Sequence, residues 1–180
     1  MISDDIEEIL FTPERLKTRV QEIASEINEE YEGKSLLLVG ILKGCMYFMA
    51  DLIRALKVPL AIDFMSISNY GFSTQKTGVV RILKDLEKPI ENQHILIVED
   101  VVDTGLTLGY LLKILKERSP ASLRVCALLD KPVYRIMRVP VDYRGFELDR
   151  RFVVGYGLDY QERYRHFPFI CVLKKEICPL

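Results

Sequence analysis

The chain has 180 residues, 49% of them hydrophobic, enough for one domain with a complete apolar core. Its 25 Lys+Arg stand against 26 Asp+Glu, so no net field directs it to nucleic acid or an anionic membrane, although clustered charge can still bind an anion locally. No apolar run approaches the roughly 20 residues of a membrane span, and the start, MISDDIEEIL, is too acidic for a signal peptide.

The first helix is expected from Thr12-Pro13-Glu14, a capping residue followed by the residue best tolerated at the first helical position. Leu16, Val20, Ile23 and Ile27 then share one face, and Gly33 ends the helix. SLLLVGIL (35–42) is an apolar run of strand length, and an amphipathic helix over 45–57 follows, ending near Pro59. LAIDFMSI (60–67) reads as a strand, SNYGFSTQKTG (68–78) as a polar loop and VVRIL (79–83) as its returning strand. A strand over 95–98 leads to a helix over 107–118 with Leu108, Leu111, Leu112 and Leu115 inward. LRVCALLD (123–130), FVVGYGLD (152–159) and FPFICVL (167–173) complete the strands. Strands that are apolar throughout and alternate with helices predict an α/β fold, a mainly parallel sheet covered on both faces.

In such sheets ligands bind beyond the C-terminal strand ends. Lys43-Gly44, the segment 99–107, Lys131 and Asp159 all fall at such ends, far apart in sequence but expected to converge. Cys45, Cys126, Cys171 and Cys178 have no metal-type spacing and read as reduced thiols of a cytoplasmic protein. His94 and His166 lie far apart, which argues against a zinc site or a Ser-His-Asp triad.

The segment ILIVEDVVDTGLTL (95–108) carries the chemistry. Asp103-Thr104-Gly105-Leu106-Thr107 bridges strand and helix, where first-turn amides bind phosphate and Gly105 permits a tight turn. The pattern GxxxxGK[ST] is absent, so this is not an ATPase loop. Asp-Thr-Gly is also the aspartic-protease triplet, but those enzymes are β-rich, whereas a leucine-rich helix follows here. Glu99 and Asp100 would repel a lone phosphate. They make sense if the ligand also brings a divalent cation, sugar hydroxyls or both. As strand neighbours they should point to opposite faces unless the strand end twists.

VEDVVDTGLTL resembles the phosphoribosyl-diphosphate (PRPP) motif of type I phosphoribosyltransferases. With GILKGCMYFMADL, SNYGFST, GVVRILKDL, LLDKP and FVVGYGLDYQERYR, the chain is similar over nearly its whole length to the bacterial hypoxanthine (hypoxanthine-guanine) group of that family. The resemblance implies a single-domain type I phosphoribosyltransferase fold with a small hood. The hood would be built from about 150–180 with the N-terminal segment, and a mobile loop would cover 68–78. It implies an Mg²⁺-dependent purine-salvage enzyme joining a 6-oxopurine (hypoxanthine, with guanine also expected) to PRPP, and assembly as a homodimer or homotetramer.

By the same resemblance, residues 103–107 hold the 5-phosphate, and Glu99 and Asp100 flank the ribose hydroxyls and the Mg²⁺. Asp103 accepts the N7 proton of the base; a free carboxylate is a weak base, and neighbouring negative charge strengthens it. Lys43, Gly44 and Arg165 meet the pyrophosphate, with a cis peptide expected before Lys43, and Arg163 is close enough that the choice of arginine rests on resemblance. Lys131 donates to the purine 6-oxo group, Phe152 stacks on the ring, the Val153 backbone meets its edge, and Asp159, also counted with the purine-binding residues, faces a second Mg²⁺ on the diphosphate. Ser68-Asn69-Tyr70 opens the lid, with Asn69 where bacterial relatives usually carry Ser, and Gly71 and Gly78 lie near its ends. Two other readings are a xanthine- or guanine-preferring enzyme and a regulator on the same fold that senses PRPP or nucleotides and binds RNA. The absence of a basic run argues against the regulator.

Overall fold

The computed structural model describes residues 2–70 and 79–179. In chain order the elements are β1 (Ile6–Phe11), α1 (Pro13–Glu30), β2 (Leu36–Leu42), α2 (Met46–Ala55), β3 (Leu60–Tyr70), β4 (Val79–Lys84), β5 (His94–Val102), α3 (Leu106–Lys116), β6 (Ser122–Asp130), β7 (Tyr143–Glu147) and β8 (Ile170–Leu173). The lid positions 71–78, with Gly71 and Gly78, lie outside the described residues, whereas Ser68, Asn69 and Tyr70 form the end of β3.

Local sequence accounts for the helices. The Thr12 hydroxyl accepts the Arg15 N–H at 3.4 Å, Pro13 occupies the first turn of α1, and Leu16, Val20, Ile23, Ala24 and Ile27 bury one stripe. In α3 the buried stripe is Leu108, Leu111, Leu112 and Leu115.

A six-stranded sheet runs in the order β4-β3-β2-β5-β6-β7. β3, β2, β5, β6 and β7 are parallel, and β4 returns antiparallel at the edge. Alternate residues feed two cores. Leu38, Leu96, Val98, Cys126 and Leu128 pack with α1 and α2, while Val39, Ile95, Ile97, Val125 and Ala127 pack with α3. This double burial explains why the strands read as continuous apolar runs. A second, two-stranded sheet pairs β1 with β8, Ile6 opposite Leu173 and Phe11 opposite Ile170. β2, β5 and β6 therefore all end on one edge of the main sheet, at Leu42, Val102 and Asp130.

Three expectations are corrected. β1 and β7 were not foreseen as strands. Residues 152–159 do not form one: they make isolated bridges, Val154 with Cys171 and Gly155 with Leu158. Gly155, Tyr156 and Gly157 have φ of 97°, 49° and 104°, and a left-handed run folds the chain into a tight turn. Finally, β5 does not stop at Val98 but continues through both acids to Val102.

The edge hairpin is anchored by Asp63 on β3. Its carboxylate accepts the Phe64 N–H at 2.7 Å and the Glu87 N–H at 2.8 Å, and pairs with Lys84 Nζ at 2.9 Å. Partial burial alone would raise its pKa, but the Glu87 amide, Lys84 and the Phe64 amide hold it below the usual aspartate value. A depressed native pKa contributes stability above the unfolded value and loses it as pH falls through the native one. In urea titrations from pH 7 down to pH 2, Asp63→Asn should therefore be less stable than the wild type near neutrality, with the gap closing under acid.

Candidate active site

The end of β5 departs from strict alternation. Val98 and Val101 pack into the same core, and Ile97 and Val102 share the other, so Glu99 and Asp100 sit where the strand changes face. Glu99 is buried and Asp100 is half-buried. Burial first, then the charge of Asp100, pushes the Glu99 carboxyl well above the usual glutamate range. Burial pushes Asp100 up to about 6, opposed by the Val101 amide, its own amide and Arg165. Asp100 Oδ1 accepts the Val101 N–H at 2.9 Å, while Oδ2 lies against Gly44, where a Cβ would collide with it.

Beyond β5 the chain turns through Asp103, Thr104 and Gly105. Gly105 is the N-cap of α3 in a left-handed conformation (φ 81°), and a Cβ there would strike the Met137 carbonyl. A glycine cap brings no side chain to the first-turn amides, which is the arrangement that leaves a helix start able to take an anion. Thr104 Oγ1 accepts the Leu106 N–H at 3.4 Å, and Thr107 stands in the first turn. The turn is braced from outside: the Thr104 carbonyl accepts the N–H groups of Ile136 and Met137, both at 2.9 Å. Arg135, ion-paired with the buried Asp130, packs behind Gly105.

On one side of this turn lies a cleft of about 750 Å³ whose lining includes Asp103, Lys131, Tyr134, Asp149, Arg151 and Phe152. The Lys131 N–H donates to the Val102 carbonyl at 2.9 Å, holding the end of β6 against that of β5. Lys131 is buried, 8% of the residue being exposed, and its ammonium donates to the Arg151 carbonyl at 2.7 Å. Burial lowers its pKa, and the charges of Asp103 and Asp149 counter that. Phe152 is exposed on the cleft, with Tyr160 edge-on at 5.9 Å. Val153 is buried.

On the other side the Leu42–Lys43 peptide is cis, and Gly44 presses on both Asp100 and the 155–157 turn; a Cβ on Gly157 would strike the Gly44 carbonyl. Arg165 Nη1 donates to the Gly157 carbonyl at 2.8 Å, and Nη2 pairs with Asp159 at 2.7 Å and Glu162 at 3.2 Å. Glu162 also reaches Lys43 Nζ at 2.9 Å. Asp159 thus lies with Arg165 and Lys43, and it is not among the residues lining the cleft beside Lys131. Arg165 faces this cluster, while Arg163 is exposed and its backbone pairs with Tyr160.

The structure brings Lys43, Gly44, Asp100, Asp159 and Arg165 together on one side, and Asp103, Lys131 and Phe152 on the other, with the Gly105 turn between. Ser68 lies at the far end of β3, its buried hydroxyl without a partner among the described residues. His94 starts β5, at the opposite end of the sheet. Sequence reasoning missed Glu162, Gly157 and Arg135. A second glycine two residues after Gly155 was a signal for a turn, but no local pattern marked the other two.

Among the described residues no group of three or more His, Cys, Asp or Glu is arranged to cage a metal ion. The Asp100 and Asp159 carboxylates are close enough to feel each other's charge, and a pair of this kind suits a magnesium ion held mostly by substrate oxygens.

A model of the phosphoribosyl transferase domain matches residues 6–161. The chain is 45% identical over 177 residues to the hypoxanthine-guanine phosphoribosyltransferase of Bacillus subtilis (strain 168), covering 98% of each. It is 48% identical to that of Mycobacterium avium over 179 residues, 96% of this chain and 88% of the relative. A crystal structure of a hypoxanthine phosphoribosyltransferase from Staphylococcus aureus superposes with a TM-score of 0.95 at 43% identity, covering 98% of this chain and 96% of that one. The chain belongs to the phosphoribosyl transferase family, in its hypoxanthine-guanine group.

Proposed function

We propose that the protein is a purine-salvage enzyme that transfers the 5-phosphoribosyl group of PRPP to a 6-oxopurine, hypoxanthine or guanine, releasing pyrophosphate. The observation that carries this reading is the shared cleft of Asp103, Lys131 and Phe152, reached from two strand ends beside a glycine-capped helix start. A base in that cleft lies next to a sugar whose 5-phosphate rests on the turn.

In this reading the amides and hydroxyls of Asp103, Thr104, Gly105, Leu106 and Thr107 hold the 5-phosphate. Glu99 and Asp100 accept hydrogen bonds from the ribose hydroxyls. Their carboxyl oxygens stand near the ring as the bond from C1 to the pyrophosphate oxygen breaks and positive charge develops there. Groups placed in advance against developing charge are the largest catalytic contribution in most enzymes. Lys43, the Gly44 backbone and Arg165 take the departing pyrophosphate. Glu99, Asp100 and Asp159 would hold Mg²⁺, which would offset charge on the leaving pyrophosphate. Asp103 accepts the N7 proton as the base becomes bonded through N9. Phe152 stacks on the purine, and the Val153 backbone meets its edge. Ser68, Asn69 and Tyr70 end β3 on the same edge of the sheet as Leu42 of β2. The hood is the β1–β8 sheet with the segment that precedes β8. We place the enzyme in the cytoplasm, where buried thiols such as Cys45 and Cys126 stay reduced, and expect a homodimer or homotetramer.

Lys131 supports the choice of base. A buried ammonium has only donors to offer, so it matches a 6-oxo acceptor and leaves a 6-amino group unpaired. Sites of this kind reject the mismatched analogue by about 10⁴-fold or more. With PRPP and Mg²⁺ present, nucleotide formation should appear with hypoxanthine and guanine and be lower by at least that factor with adenine. Absence of turnover with hypoxanthine, guanine and xanthine alike would reject the reading.

Asp103→Asn keeps the turn's shape but not its base. Its turnover should fall by roughly 10²- to 10⁴-fold. Its PRPP affinity, measured by calorimetry, should stay within about threefold of the wild type, since hydrogen bonds of similar geometry remain. Unchanged turnover would leave Asp103 as a turn residue only.

A further inference from the structure

The residue that stands out once these roles are assigned is Glu162, which no part of the chemistry above uses. Its Oε2 lies 2.9 Å from Lys43 Nζ and its Oε1 3.2 Å from Arg165 Nη2. A single carboxylate therefore spans two cations that arrive from β2 and from the C-terminal segment. Its placement is built into the backbone. Gln161 and Glu162 have φ of 53° and 61°, a conformation L side chains rarely adopt, and the Glu162 N–H donates to Asp159 Oδ2 at 2.8 Å. Asp159 in turn pairs with Arg165, so the turn is tied to the cations its carboxylate covers.

We propose that Glu162 is an intramolecular competitor for the leaving-group site, covering Lys43 and Arg165 in the free protein and giving way to pyrophosphate. The inference rests on the assignment of Lys43 and Arg165 to pyrophosphate made above. The side chains of Glu162 and Lys43 are each 66% exposed, and exposed ion pairs are weak, so the contact can open readily. A polyanion with several charged oxygens can displace a lone carboxylate from two cations. The hydrogen bond from Lys43, then the charge of Arg165, hold the Glu162 carboxyl below the usual glutamate range, so it stays ionised at neutral pH and remains in the competition. The same carboxylate acts at the end of the cycle. As pyrophosphate leaves, Glu162 returns to the two cations and opposes rebinding of the product. A diphosphate site without such a competitor would hold its leaving group longer, and product release is a common limit on turnover.

The test is calorimetric titration of inorganic pyrophosphate with Mg²⁺ into the full-length wild type, Glu162→Gln, Glu162→Asp and Lys43→Gln. Glu162→Gln, a surface change, should bind pyrophosphate roughly three- to tenfold more tightly, as expected for removing one exposed ion pair and one partly buried one. Its forward reaction should be inhibited by pyrophosphate at correspondingly lower concentration. Glu162→Asp, which keeps the charge, should stay near the wild type. Unchanged or weaker binding by Glu162→Gln would make the carboxylate a bystander or an organiser of the two cations and overturn the proposal, as would equal tightening by Glu162→Asp. Lys43→Gln should lose affinity. If it binds as the wild type does, the assignment of Lys43 itself fails, and the competitor role with it. A loss in Lys43→Gln without a gain in Glu162→Gln removes the competitor role alone.

Discussion

The site depends on a contact in which there is no room for a β-carbon. Gly44 lies directly on the Asp100 carboxylate, and the Gly44 carbonyl lies directly on Gly157. The end of β2, the end of β5 and the turn before β8 are thereby pressed together. A side chain at either glycine would separate them, and the spacing between the two anion-facing sides of the site would change. The parallel sheet makes this contact possible, because it delivers the ends of β2, β5 and β6 to one edge and leaves only short loops to close the remaining distance.

Electrostatics divides the same edge into two halves. Beside the cleft stands Lys131, a buried cation whose charged form is disfavoured by burial and sustained by Asp103 and Asp149. Toward Gly44 stand the buried Glu99 and the half-buried Asp100, acids pushed toward their neutral forms, with Arg165 drawing Asp100 back. Each half carries charge that the free protein satisfies incompletely or with its own side chains. A ligand bearing an acceptor for Lys131, hydroxyls for the acids and anionic oxygens for Lys43 and Arg165 would satisfy all of them at once. The turn at Gly105 is the fixed point between the halves, held by the Thr104 carbonyl on one side and α3 on the other.

The reading of individual segments shows where local information is sufficient. Thr12-Pro13 and the Leu16–Ile27 stripe mark α1 without ambiguity, and the unbroken apolar runs mark β2, β5 and β6 as strands covered on both faces. β1 was missed because its IEEILF sequence is mostly exposed and its partner β8 lies at the other end of the chain, so neither periodicity nor neighbours betray it. β7 was missed because YRGFE is short and interrupted by Gly145. The lack of a side chain at Gly145 is required by the Leu128 carbonyl, which occupies the place of a Cβ. Residues 152–159 were misread because an apolar run without glycine-driven reversal is indistinguishable from strand; here the reversal at 155–157 decides.

By itself the sequence determined α1, α2 and α3, the strands from β2 to β6 and the turn from Asp103 to Thr107, because these follow from local periodicity, capping and backbone freedom. It also determined which residue types were available at the strand ends. Tertiary structure alone decided that Lys43, Asp159, Glu162 and Arg165 form one ionic cluster, that Asp103 and Lys131 face one cleft, and that Arg135 braces the turn from behind. Charge pairing and exclusion of a Cβ act over a few ångströms in space. Residues more than a hundred positions apart enter that range only after the sheet has set which strand lies beside which.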